Sequence, residues 1–304
     1  MQTTNHLLMV RPSRFTFNEE TAANNAFQQR SQTADEALRI QRQAVEEFDA
    51  YVALLRENGV KVDVRQDTPN PFTPDSIFPN NCFSTHLVGV EHVLVIYPMF
   101  AHNRRLEREK LFTHEDYVRY DRIIDLTHWE KEGKYLEGTG SLILDRDHHI
   151  AYACRSPRTD ESVLHDWAKQ LDYDYFLFDS EDENGMAVYH TNVVMHVGTR
   201  FAVVCMDSIK DASQRKQLAN LLTSNGKEVV EITLKQMHHF AGNMLEVQNA
   251  KGKKLLIMSA AAKHSLTKAQ IALLEQDVKI LAPSLEAIET AGGGSARCMI
   301  AEMV

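Results

Sequence analysis

Several things are missing from this 304-residue chain, and each absence removes a class of function. No apolar run approaches the length of a membrane span, and the stretch from Leu7 to Val10 is too short for a signal peptide, so a soluble, cytoplasmic protein with no membrane partner is expected. There are only four cysteines, Cys82, Cys154, Cys205 and Cys298. None stands in a C-x-x-C pair, which speaks against a zinc site and against a disulfide framework. Basic residues are in the minority, 33 against 42 acidic ones, and no Lys/Arg cluster offsets the net charge of -9, so nucleic acid is excluded as the expected partner. Gly138-Thr-Gly140 lacks the G-x-G-x-x-G form of a dinucleotide site, and His148-His149 and His238-His239 have no third ligand nearby, so neither a cofactor nor a metal is expected.

What is present is the composition of a folded protein, 43% apolar and 25% charged with no low-complexity tract. Period-2 and period-3.6 apolar patterns recur in the order strand, turn, strand, helix, strand. The order is plainest from 141, where Ser-Leu-Ile-Leu-Asp, Ile150 to Cys154, a helix over 159–170 and a strand over 173–178 follow one another. It returns from Asn192, with a helix over 210–224, and from Asn243, with a helix over 264–275. A further unit pairs 77–86 with 92–98 and has a helix over 104–119 carrying Arg104, Arg105, Glu107 and Arg108. The remaining pieces, a strand at 6–10, a helix at 34–57, a strand at 61–64 and a C-terminal strand at 297–303, make a fifth unit shared by the chain ends. First strands begin near 77, 141, 192, 243 and 297, a period of roughly 50–65 residues that implies one closed radial repeat over 1–304 rather than two domains.

Equivalent positions of such a repeat face one axis. The residues before each first strand are Asp75, Asn80 and Asn81; Glu137; His190 and Asn192; Asn243; and Cys298. Singly, each reads as a packing or solvated residue. Together a thiol, an imidazole and a carboxylate supply a nucleophile, an acid/base and an orienting group. Gly292-Gly-Gly294 would let backbone approach a ligand, and Arg297 next to the thiol would favour thiolate if both faced the same way. The other three cysteines, flanked by apolar residues, are expected to pack. The polar segment 11–33 is either a lid over the axis or a long surface loop.

These motifs resemble the guanidino-group-modifying enzymes of the pentein fold: arginine deiminase, dimethylarginine dimethylaminohydrolase, agmatine deiminase and the amidinotransferases. The resemblance runs from Met9-Val-Arg-Pro12 through Asp75-Ser-Ile-Phe, Leu136-Glu-Gly-Thr, Ser156-Pro-Arg-Thr-Asp160 and His190-x-Asn192 to Gly-Gly-Gly-Ser-Ala-Arg-Cys-Met299. It implies an α/β five-bladed propeller of five ββαβ repeats. It also implies that Cys298 attacks the substrate carbon, His190 transfers protons, Glu137 holds His190, Arg105 and Arg158 bind a substrate carboxylate, and Asp75 meets its amino group. The chain departs from many relatives in having Asn80, Asn81 and Asn192 where acidic residues stand. A guanidinium offers only donors, whereas a ureido group offers a carbonyl as well, which amides match. A small ureido amino acid is therefore the expected substrate: citrulline, hydrolysed to ornithine, ammonia and carbon dioxide, as in the citrulline-utilising hydrolases that this chain most resembles. An arginine-type deiminase, a dimethylargininase, an amidinotransferase and a non-catalytic binding scaffold are the alternatives, and assembly into a homo-oligomer is left open.

Overall fold

A computed structural model describes residues 1–304. Its strands fall into five sheets of three. In chain order they are β1 (His6–Arg11), β2 (Lys61–Gln66), β3 (Phe83–Val88), β4 (Glu91–Ile96), β5 (Arg122–Asp125), β6 (Ile143–Asp145), β7 (Ile150–Cys154), β8 (Asp174–Phe178), β9 (Met195–Val197), β10 (Phe201–Val204), β11 (Glu228–Glu231), β12 (Leu245–Gln248), β13 (Lys254–Ile257), β14 (Lys279–Leu281) and β15 (Ala301–Glu302). Every sheet repeats one design. The middle strand pairs antiparallel with one neighbour, in four of the sheets through a short turn, and parallel with the other through a helical crossover, as β4 does with β3 and β5. The fifth sheet obtains this design from both chain ends, since β1 pairs antiparallel with β15 (Leu7 opposite Glu302) and parallel with β2. The result is the five-bladed α/β propeller that the resemblance implies, with the fivefold count that the repeat predicts.

Middle strands such as Phe201–Val204 are apolar runs buried on both faces, and the inner strands are buried too but carry polar residues such as Asp145, His196, Glu246 and Glu302, whereas the outermost strands, as in Glu228–Glu231, expose one face to water. The largest apolar cluster, 32 buried residues, fills the space between the blades of β6–β8, β9–β11 and β12–β14. The helix Ala34–Glu57 forms as its pattern requires. Thr33 accepts a hydrogen bond from Glu36 N–H, and Ala44, Phe48, Tyr51, Val52 and Leu55 make one buried stripe. No helix of the structure is long and apolar enough to cross a membrane.

Three expectations need correction. The expected helix over 104–119 is three short ones, His102–Arg105, Glu107–Leu111 and His114–Tyr117, because Phe112 is extended and Thr113 starts a new turn with Asp116 in a capping box. The expected helix over 264–275 is likewise split, at Leu266, where Thr267 caps Lys268–Leu274. The first strands begin later than expected, at 83, 143, 195, 245 and 301, and the polar residues before them lie in turns. Two of those turns are single helical ones, Gly138–Ser141 and Thr191–Val194, and a 3-10 turn spans Pro79–Asn81.

Candidate active site

Those five turns converge. Glu137 and His190 each immediately precede the helical turn of their blade, and the Glu137 Oε2–His190 Nε2 distance is 2.7 Å. Gly140 makes this closeness possible: a Cβ there would lie 2.2 Å from Asn81 Nδ2 and 2.8 Å from His190 Nδ1. Cys298 sits in the last turn, its N–H donating to Ser295 O, and its Sγ accepts from Asn192 Nδ2 and Asn243 Nδ2, each at 3.3 Å. All of these side chains are buried, with Glu137 0% and Cys298 3% exposed. Cys82, Cys154 and Cys205 pack within the apolar core, where burial holds each thiol well above its usual range.

Burial would raise the Glu137 carboxyl, but Arg158, the hydrogen bond from His190 and Arg104 together hold it far below the usual carboxylate range. Burial dominates at His190 and depresses it to about 4 despite Glu137, so the imidazole is neutral near pH 7. Burial raises Asp75 against the pull of Arg104 and Asn18.

Arg158 belongs to this cluster, 3.5 Å from Glu137 and over the Tyr189 ring. Arg105 does not. Its guanidinium bonds Met99 O and Phe100 O and lies 3.6 Å from Glu130 near the surface. Its neighbour Arg104 is the buried one, paired with Glu107 at 2.9 Å, donating to Asn81 Oδ1 at 2.8 Å, and 3.8 and 3.9 Å from Asp75 and Glu137. Adjacent residues of a helical turn point about 100° apart, and the short helix His102–Arg105 turns Arg104 inward. Glu107, which sequence reasoning also left out, is pushed up to about 7 by burial, with Arg104 opposing. Arg297 does not face the thiol: its guanidinium bonds Glu302 at 2.7 Å and Ile300 O.

The segment 11–33 lies over the site. Asn18 donates to Asp75 Oδ2 at 2.7 Å, Arg158 donates to Asn24 Oδ1 and Thr21 O, and Gln28 and the Gln29 N–H reach Gly292 O and Thr290 O. Four buried atoms around the axis have no partner: Asp75 Oδ1, both amide atoms of Asn80, and Asn192 Oδ1. A fold does not bury such atoms cheaply, at about 1–3 kcal/mol each, and their grouping in these turns points to a polar ligand.

A five-bladed propeller whose axial turns bring a thiol, a neutral imidazole and an ionised carboxylate together defines a class, the guanidino-modifying pentein superfamily. More narrowly, a family model described as N,N dimethylarginine dimethylhydrolase, eukaryotic, matches residues 11–304, and the chain belongs to that family. No curated protein matches it in sequence. Among solved structures, the N-terminal domain of ArgZ covalently bound to a reaction intermediate is similar over 97% of this chain and 96% of its own, with TM-score 0.74 and 18% identity. AgrE in complex with ornithine and NAD+ gives TM-score 0.75 and 18% identity over 97% of this chain. A dimethylarginine dimethylaminohydrolase variant carrying an S-methyl-L-thiocitrulline adduct gives 0.65 and 14%, with 99% and 100% of the two chains covered. The chain spans about two fifths of AgrE and of full-length ArgZ, an arginine dihydrolase of cyanobacteria.

Proposed function

We propose that the protein is a cysteine-dependent hydrolase that converts citrulline and water to ornithine, ammonia and carbon dioxide. The observation that carries the choice of substrate is the chemistry of the unpaired buried atoms. Asn80 offers a free N–H donor and a free acceptor, and Asn192 a free acceptor beside the sulfur it contacts. A ureido group has a carbonyl and N–H groups to meet both kinds, whereas a guanidinium would set donor against donor at the Asn80 amide nitrogen. Mispairing costs about 1–3 kcal/mol per group, which is about 5- to 150-fold in kcat/KM.

In this reading residues 11–33 open, freeing Asp75 from Asn18 for the substrate ammonium and Arg158 from Asn24 for its carboxylate. Cys298 Sγ attacks the ureido carbon while its proton passes to His190, whose charge Glu137 stabilises from 2.7 Å. The imidazolium gives that proton to the departing ammonia, leaving a thiocarbamate on Cys298. Water, deprotonated by His190, then attacks the same carbon and expels the thiolate. The carbamate of ornithine so formed loses carbon dioxide.

An arginine hydrolase is the second reading, favoured by charge: Asp75, Glu107 and Glu137 outnumber Arg104 and Arg158 in the buried cluster, and an arginine substrate would bring one more positive charge than citrulline. Assays of ammonia and ornithine release from citrulline, arginine, methylated arginines and agmatine separate the two. Citrulline is expected to be the fastest, and faster turnover of arginine would overturn the assignment.

A further inference from the structure

Asn243 stands in one of the five converging turns, where its position before a first strand makes it a candidate for substrate binding, yet its side chain is spent on the protein itself. Its Oδ1 accepts from the backbone N–H of Arg297 at 2.9 Å, and its Nδ2 donates to the backbone carbonyl of Asn192 at 3.0 Å and to Cys298 Sγ at 3.3 Å. The two backbone partners fix which end of the amide is which. A flipped amide would set its oxygen against a carbonyl and its NH2 against an N–H, losing two buried hydrogen bonds. The N–H end therefore has to face the sulfur. Asn192 also donates to Sγ, but its Oδ1 has no partner, so nothing locks that amide in place.

We infer that Asn243 is a catalytic donor to the nucleophile rather than a substrate-binding residue: its backbone-locked N–H stabilises the Cys298 thiolate and aims it. The inference rests on Cys298 being the nucleophile. A neutral thiol gains little from an N–H donor, whereas a thiolate gains a charge-assisted hydrogen bond. Arg297, the residue next to the thiol, keeps its guanidinium on Glu302, so amides and not a cation meet the sulfur directly. With two acceptor directions of Sγ filled by Asn192 and Asn243, the remaining lone pair is left for the substrate carbon. The same donor serves twice, first when the thiolate attacks and again when the second half of the reaction expels it, because the sulfur regains its charge at that moment.

The substitution with the largest expected effect is Asn243→Asp. It keeps an oxygen to accept the Arg297 N–H and keeps the size, but it replaces the donor that serves both Sγ and the Asn192 carbonyl with an anionic oxygen, so Asn243→Ala, which loses the second bond without adding the charge, is read beside it. The readout is the pH dependence of Cys298 alkylation by iodoacetamide, followed by mass spectrometry of the cysteine-bearing peptide; the reaction joins carbon to the thiolate sulfur and releases iodide, so its rate reports the thiolate fraction. The midpoint of the profile is expected to rise by at least one pH unit and the rate at pH 7 to fall tenfold or more. Asn243→Ala should move the midpoint upward by a smaller amount, and kcat should fall in both variants with KM within about threefold of the unchanged protein, as for an interaction with the reacting atom. An unmoved alkylation midpoint in both variants, or a rise in KM with kcat unchanged, would overturn the inference and return Asn243 to substrate binding. Failure of the nucleophile assignment is read separately: Cys298→Ala would then keep its activity, whatever the alkylation profiles show.

Discussion

Two buried ionic clusters lie along the inner strands, and they differ in what they leave undone. Around the turns before the strands, Glu137 holds His190 and is flanked by Arg158 and by Arg104, which also pairs with Asp75 and Glu107, with unpaired oxygens at Asp75 and Asn192 and an unpaired amide at Asn80. Within and just beyond the strands, Glu302 holds Arg297 at 2.7 Å and Arg146 at 3.4 Å, and Lys227 holds Asp145 at 3.2 Å. That second cluster ties blades to one another: Arg146 follows β6 while Glu302 is in β15, and Lys227 precedes β11 while Asp145 is in β6. Equal burial thus serves two purposes: the seam leaves one atom unmet, Arg146 Nη2, whereas the turns around the axis leave four.

The comparison is broken most severely at Cys298. Cys298→Ala is expected to lower kcat at least about 10^4-fold with an unchanged urea midpoint, since removing a nucleophile removes the covalent route but little packing. The converse holds at the seam. Glu302→Ala strands Arg297 and Arg146 in the interior and should destabilise the fold by about 3–5 kcal/mol in urea unfolding, with Glu302→Gln milder. KM of the folded fraction should stay within twofold. The two arginines then sharpen the boundary of the first cluster. Arg104→Lys loses the forked contacts to Glu107 and Asn81 and should cost about 100-fold in kcat/KM, whereas Arg105→Lys should cost no more than about twofold; equal effects would restore Arg105 to the site.

A pH dependence spans both clusters. His190, at about 4, and His196 of the seam, at about 3, are both depressed, chiefly by burial. Their ordinary value is 6.5, so below that pH the unfolded chain binds more protons than the native one. Stability is therefore complete above about pH 6.5 and falls on acidification toward pH 4, by up to about 1.4 kcal/mol per pH unit for each histidine. Urea midpoints between pH 7.5 and 4.5 measure the slope, and His196→Gln should make it shallower.

What the sequence revealed follows from where the signals are local. Helix Ala34–Glu57 carries its own cap and its own stripe, and it lies where the pattern puts it. The fivefold period is legible because each blade repeats the same burial. Helix Glu286–Gly292 is not legible, because its cap is not local: the carboxylate of Glu47, on the helix Ala34–Glu57, accepts from the N–H groups of Ala287 and Ile288 at 2.9 and 3.1 Å. Arg104 and Arg105 are indistinguishable in sequence because the phase of a helix broken at Phe112 cannot be carried back from its later turns. Asn18 and Asn24 had one signal, a run of amides in a long segment between β1 and its helix. Their partners, Asp75 and Arg158, are supplied only by the tertiary fold.

The turns before the inner strands carry a further implication, for change over time. Asn80 and Asn81, Glu137, His190 and Asn192, Asn243, and Cys298 come from five different blades, and in each case the strand that follows makes its ladder without them. A replacement in one turn alters the chemistry offered to the substrate while every strand keeps its register. Such a scaffold can exchange a carboxylate for an amide one blade at a time.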